Sequence, residues 1–206
     1  RPSDTYRFFI ILSPVGAYYP EGLNPVKIYV EDKFVRAVRG GTGEAKVAGN
    51  YAASLLAAEE AKAKGYSQVL WLDASDHTFV EEVGAMNIFF IIDDKLITAP
   101  LDGSILPGIT RDSVIKLAKY MDYRVEERDL TIEEVFEAHG NGTLKEVFGS
   151  GTAAVISPVG IMEWKNQKIG INNRKIGEFT AMMYEKLTGI QYGIEQDIFS
   201  WVKKID

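Results

Sequence analysis

The chain has 206 residues, 46% apolar and 25% charged, enough for one substantial domain with its own core. A net charge of −6 lacks the basic excess that a nucleic-acid surface needs, but a local pocket can still take a small anion. The absence of cysteine excludes disulfides, thiolate metal sites and cysteine nucleophiles, and fits a reducing, cytoplasmic setting. No apolar run has membrane-spanning length and no secretory signal opens the chain, so neither a membrane nor nucleic acid is an expected partner. The start, Arg1-Pro2-Ser3, lacks methionine and suggests a processed or truncated beginning.

Residues 7–12, with Phe8-Phe9-Ile10-Ile11-Leu12, are expected to form a strand. Pro14, Gly16, Pro20 and Gly22 then mark a turn-rich loop. Val26 to Val30 alternates as a second strand, and Gly40-Gly41-Thr42-Gly43 is a glycine-rich turn. Residues 50–64 are alanine-rich and helix-favouring, with a stop at Gly65. Gln68 to Leu72 is a buried-strand run. Asn87–Ile92 and Leu96–Ala99 flank Asp93-Asp94 as a tight hairpin.

Pro107-Gly108 opens a helix over roughly 109–121, and Tyr123–Glu127 is a short strand. Thr131 caps a following helix, with Glu134 at the reciprocal position of a capping box. A strand over 147–159 is broken at Gly149-Ser150-Gly151, and 174–188 is the last amphipathic helix. Strands and helices mix without the regular alternation of a doubly wound sheet. The expected fold is therefore α+β (mixed α/β), one domain with a largely antiparallel, barrel-like sheet and surrounding helices.

Four stretches carry chemistry. Lys46 lies between the glycine-rich turn and the alanine-rich helix. Such a lysine is ordinarily a solvated loop residue; led into a pocket by small residues, it becomes a nucleophilic amine. Glu81-Glu82 enter an apolar strand, where adjacent side chains diverge, so one carboxylate is expected to face inward against a cation. The alternative is a solvated acidic pair at a strand edge. Leu106-Pro107-Gly108-Ile109-Thr110-Arg111 opens a helix whose free N–H groups suit an anion, and Gly149-Ser150-Gly151-Thr152-Ala153 can turn its N–H groups inward. Taken alone, either is more often an ordinary turn. His77 and His139 both read as turn residues, and no paired-histidine metal spacing exists.

In this order, these stretches resemble the branched-chain aminotransferases of pyridoxal-phosphate fold type IV. The likeness runs from Ser13-Pro14-Val15-Gly16-Ala17-Tyr18 through Gly49-Asn50-Tyr51, Gln68-Val69-Leu70-Trp71-Leu72, Glu82-Val83-Gly84-Ala85-Met86-Asn87 and the helix opening at 106–111. It continues through 146–153 to Ile190-Gln191-Tyr192-Gly193-Ile194. The resemblance implies pyridoxal 5′-phosphate as cofactor and no metal. It implies transamination of leucine, isoleucine and valine with 2-oxoglutarate, in a homodimer.

By the same resemblance, Lys46 is the Schiff-base lysine and proton carrier, Tyr51 bonds the cofactor's phenolic oxygen and lies at the substrate, and Glu82 pairs with the pyridine nitrogen. Arg36 lies near the phosphate. Ile109, Thr110, Gly151 and Thr152 bind the phosphate, while Ala85 and the backbone of Ala153 lie at the substrate carboxylate. Ala154 and Ser157 stand where some members carry a Cys-x-x-Cys switch, and Ala85 where some carry threonine, so those side-chain functions are missing. The family has an additional N-terminal domain, and residues 1–206 are expected to be the C-terminal, cofactor-bearing domain without it. D-amino-acid aminotransferases and aminodeoxychorismate lyases share the fold type and form the in-class alternative. A non-catalytic module that kept the fold is the alternative outside the class.

Overall fold

The computed structural model describes residues 1–11, 13–14 and 23–204. Its centre is a closed barrel of six strands in the order β3-β2-β1-β8-β7-β4, with β4 pairing back onto β3. These strands are β1 (Val26–Val30), β2 (Gln68–Leu72), β3 (Val80–Val83), β4 (Met86–Ile92), β7 (Leu144–Gly151) and β8 (Val155–Trp164). Three short strands extend the sheet beyond the barrel. β5 (Lys95–Thr98) pairs with β4, β6 (Arg124–Glu127) with β5, and β9 (Gln167–Gly170) with β8. Pairing is antiparallel except at β1–β2, β1–β8 and β5–β6, as the mixed, barrel-like expectation requires.

The two-residue period of the strands divides the core. Val26, Ile28 and Val30 of β1 and Met86, Ile88, Phe90 and Ile92 of β4 share the barrel's inner cluster. Helix α3 (Ile132–Gly140) adds Ile132, Val135, Phe136 and Ala138 to that cluster. Phe89 and Phe148 point outward and stack at 5.1 Å beneath helices α2 (Ile109–Tyr120) and α4 (Glu178–Gln191). Helix α1 (Ala48–Ala63) packs Ala57 and Ala61 near Val69 and Trp71 on another outer face.

The second strand, the hairpin and the first two helices form close to their expected places. At the hairpin, Asp93 (φ 48°) and Asp94 (φ 62°) take the left-handed pair that matches strand twist in a two-residue turn. Other expectations shift. Residues 7–11 form no strand and are exposed, while Leu12 and the loop positions 15–22 lie outside the described residues. A strand needs a partner for its backbone, and both edges of β1 are already taken by β2 and β8. Gly149-Ser150-Gly151 does not break its strand: all three are ladder residues of β7, and the turn comes at 152–154. Half of the capping box forms. Thr131 Oγ1 accepts from the Glu134 N–H at 3.0 Å, but the Glu134 carboxylate turns to Arg128. His139 belongs to the last turn of α3 rather than to a loop.

The last helix begins at Glu178 instead of 174 because residues 172–174 form a tight turn with positive φ. Its N-cap, Gly177, has no side chain to offer. Glu146 of β7 supplies the missing acceptor, taking the N–H groups of Phe179 at 3.0 Å and Thr180 at 2.8 Å, and the Thr180 hydroxyl at 2.6 Å. A Cβ at Gly177 would overlap this carboxylate. Glu146→Ala should therefore lower the unfolding free energy by about 2 kcal/mol, read from urea denaturation, with Gly177→Ala at least as damaging.

Candidate functional site

The site is built on the outer surface of the barrel where β3 meets β4. The β2–β3 register runs Leu70↔Val83, Trp71↔Glu82 and Leu72↔Val80, which leaves Glu81 as an extra, bulged residue. Val80 and Val83 both join the inner cluster, so Glu81 and Glu82 are both left outside it. The expectation that the two carboxylates lie on opposite faces, one of them inward, therefore fails, because a bulge breaks the two-residue alternation. Neither is a solvated edge residue: Glu81 is 6% exposed and Glu82 3%.

Arg36 serves both. Its Nε lies 2.5 Å from Glu82 Oε2, in charge contact without hydrogen-bond alignment. Its terminal nitrogen donates to the carbonyls of Ser104 and Gly43, and the Ser104 hydroxyl donates to Glu81. Burial pushes the Glu82 carboxyl up to about 7, against the Arg36 charge and the Leu106 backbone amide, which pull it down. Burial also raises the Glu81 carboxyl, opposed by the Ser104 hydrogen bond.

Glu82, Asn87 and Ser150 are successive cross-strand partners on β3, β4 and β7 and form a buried polar row. Asn87 donates to Glu82 Oε1 at 2.8 Å and to the Leu106 carbonyl at 2.9 Å. Leu106 leads into Gly108, the N-cap of α2, where Ile109 is exposed and Thr110 half-buried. Arg111 anchors that helix from below, donating to the Ala99 carbonyl at 2.8 Å and to Glu127 at 2.9 Å. Ser150 leads into half-buried Gly151 and the exposed Thr152 and Ala153. Ser150 Oγ has no hydrogen-bond partner among the described residues.

Lys46 is exposed, and its Nζ lies 2.7 Å from the Tyr51 hydroxyl. The loop before it is pinned by Asn50, whose amide donates to the carbonyls of Thr42 at 2.7 Å and Ala45 at 2.9 Å, while Thr42 Oγ1 lies 2.6 Å from Asn50 Oδ1. Gly43 is needed here, since a Cβ would overlap the Ser104 carbonyl. A cavity joins Arg36, Tyr51, Glu82 and Ala85 with Asn50, Ser54, Gly84 and Leu106. The structure thus brings Arg36, Tyr51, Glu82 and Ala85 around one cavity and sets Lys46 against Tyr51. Every polar contact of Arg36 among the described residues is to Glu82, Gly43 or Ser104. Ile109, Thr110, Gly151, Thr152 and Ala153 do not line the cavity and reach it through Leu106 and the polar row. Asn87 and Ser104 were not singled out from sequence, and Ser150 only for the backbone of its glycine-rich stretch, not for its hydroxyl. An asparagine in the run Met-Asn-Ile-Phe-Phe-Ile-Ile was the available signal, because asparagine is disfavoured in strands unless its amide is satisfied.

The sequence pattern of the family described as amino-transferase class IV matches residues 1–161. The chain belongs to this family. Branched-chain-amino-acid aminotransferase 2 of Bacillus subtilis is 55% identical over 203 residues, covering 98% of this chain and 56% of that protein. The solved branched-chain amino acid aminotransferase of Escherichia coli superposes with a TM-score of 0.82 at 33% identity, over 94% of this chain and 60% of that one. The T.th. branched-chain amino acid aminotransferase, solved in complex with N-(5′-phosphopyridoxyl)-L-glutamate, gives 0.75 at 29% identity, over 88% and 57%. The chain therefore spans somewhat more than half the length of these relatives.

The raised Glu82 carboxyl has a consequence for stability. In the unfolded chain this group ionises near 4.5, and in the fold at about 7. The unfolded state thus loses its proton first, and stability falls as pH rises through that window. Wild type should lose about 3 kcal/mol relative to Glu82→Gln between pH 4.5 and pH 7.5, measured by urea denaturation of the cofactor-free protein across that range.

Proposed function

We propose that the protein containing this chain transfers the amino group of branched-chain L-amino acids to 2-oxoglutarate, giving branched 2-oxo acids and glutamate, with pyridoxal 5′-phosphate as its cofactor. The observation that carries this reading is Glu82: a carboxylate buried on a strand, raised to about 7, on the wall of the cavity that also takes in Tyr51. A buried carboxylate of this kind is matched by a cationic partner, and a protonated pyridine nitrogen is one. The close sequence relationship to a branched-chain enzyme supports the substrate class.

The residues present fit the cofactor. The first turn of α2, where Ile109 is exposed and Thr110 half-buried, offers helix-start N–H groups to a phosphate, and the turn after Gly151 adds further N–H groups and the Thr152 hydroxyl. Ser150 brings a buried hydroxyl, without a hydrogen-bond partner among the described residues, to the strand that leads into that turn. When bound, the cofactor supplies an electrophilic carbon for amines and a ring that accepts electron density. Glu82 holds a proton at the ring nitrogen, and Arg36, expected near the phosphate, instead balances the Glu82 charge, since its polar contacts among the described residues are to Glu82, Gly43 and Ser104. The Lys46 amine moves a proton at the substrate α-carbon, and Tyr51, 2.7 Å from Nζ, orients it. Tyr51 and the backbone of Ala153 orient the substrate, while Ala85 leaves the adjoining surface free of a hydroxyl.

The test uses the full-length protein with pyridoxal phosphate, leucine and 2-oxoglutarate. Glutamate should accumulate, and borohydride reduction followed by peptide mass spectrometry should place the label on Lys46. Lys46→Ala should abolish the label and cut turnover by at least about a thousandfold, since proton transfer alone contributes on the order of a hundred- to ten-thousandfold. A label on Lys62 or Lys64 would overturn the assignment.

A further inference from the structure

We propose that Asn87 is a positioning residue of this site: its side-chain amide fixes the separation between Glu82 and the first turn of α2, and so sets the spacing of the groups that bind the two ends of a flat, phosphorylated ring. The inference rests on the reading of Glu82 as the ring-nitrogen partner and of the α2 start as a phosphate site.

Asn87 is 5% exposed, so its hydrogen bonds do not compete with solvent. Both amide hydrogens are committed, one to Glu82 Oε1 at 2.8 Å and one to the Leu106 carbonyl at 2.9 Å. These partners fix the amide's orientation, because the reverse flip would set Oδ1 against two other acceptors. The oxygen side of the amide is in turn pressed against Gly108, where an added Cβ would overlap Oδ1. Gly108 is the N-cap of α2 and directly precedes Ile109 and Thr110. A single side chain therefore touches the carboxylate at one end of the site and the helix entry at the other.

Asn87 and Arg36 hold opposite oxygens of the carboxylate: the Asn87 amide donates to Glu82 Oε1 at 2.8 Å, while Arg36 Nε faces Oε2. Such a donor favours the ionised carboxylate, the form that pairs with a protonated ring nitrogen. The cross-strand register Glu82↔Asn87↔Ser150 places the amide in the middle of the buried row.

The experiment is a double-mutant cycle in the full-length protein, read as the equilibrium affinity for pyridoxal phosphate by dialysis, with thermal unfolding of the cofactor-free variants run alongside. Asn87→Ala should weaken binding about tenfold or more. In a Glu82→Gln background the same change should cost less than about threefold, because an effect that runs through Glu82 is non-additive. Affinity equal to wild type, or an equal loss in both backgrounds, overturns the proposal; the latter marks Asn87 as a general structural residue. Gly108→Ala covers the case in which Asn87→Ala does not fold, since it drives a methyl against the intact amide. Its affinity must fall with the same dependence on Glu82, and unchanged affinity there is likewise fatal. Wild-type protein that binds no pyridoxal phosphate overturns the cofactor reading and this inference together. Wild-type binding with an unaffected Asn87→Ala overturns this inference alone.

Discussion

The pairing of β3 with β4 is the contact on which the architecture and the candidate site both depend. It closes the six-strand ring, so neither strand is left as a free edge. The connection is two residues long, Gly84 and Ala85, and Gly84 takes φ +56°. Its backbone is held from outside: the Gly84 N–H donates to the Val69 carbonyl at 2.7 Å, and Trp71 Nε1 donates to the Gly84 carbonyl at 2.9 Å. With so short a turn, the register has no slack. Val83 must sit opposite Met86, and Glu82 opposite Asn87. A slip of one residue would send Glu82 into the apolar barrel and bring Val83 out. The closure of the ring and the position of the carboxylate are one constraint.

That constraint carries an electrostatic cost. Two carboxylates and one guanidinium are taken out of water on the same outer wall, with further satisfaction from Ser104 and Asn87. Arg36 is 2.5 Å from Glu82, yet the carboxyl still moves up rather than down, so desolvation outweighs the ion pair. A structural salt bridge optimised for stability would show the opposite sign. Glu81, held by a serine hydroxyl and with Oε2 unpartnered among the described residues, moves in the same direction. Desolvation is thus the largest influence on both carboxylates of this wall.

Much of this was legible in the sequence because it depends on local pattern. Alternation in Val26–Val30, the Asp93-Asp94 turn and the Pro107-Gly108 helix entry are decided within a few residues. What was not legible depends on partners distant in sequence. The bulge at Glu81 arises from the register against Trp71 and Leu72, about ten residues away, so strict alternation misassigned the faces of the acidic pair. The cap of α4 comes from Glu146 on another strand, which is why the helix start could not be found from its own residues. Residues 7–11 have a strand's composition but no described partner, and composition alone does not make a ladder. At the site, Lys46 and Glu82 were assigned by the family resemblance, since residue type alone left both open, whereas Asn87 and Ser104 matter only because the fold brings them to Glu82 and Glu81.

The two ends of the candidate site are built differently, and the proposed chemistry gives a reason. Glu82 sits on a strand of a closed barrel, buried and hydrogen-bonded, where its position cannot drift. Lys46 sits on an exposed loop just before α1, pinned through Asn50 to Thr42 and Ala45 but with its own side chain in contact with Tyr51 alone among hydrogen-bond partners in the described residues. A group that holds one charge on a ring throughout a reaction gains from rigidity, because preorganised electrostatics need no rearrangement as charge develops. A group that must let go of one atom and then carry a proton to another needs freedom along its side chain while its root stays fixed. A four-carbon lysine on a pinned backbone meets that requirement, and a residue on the barrel wall would not. The division between a buried strand carboxylate and an exposed amine on a pinned loop follows from where the sequence places them: Glu82 inside an apolar strand run, Lys46 between a glycine turn and a helix.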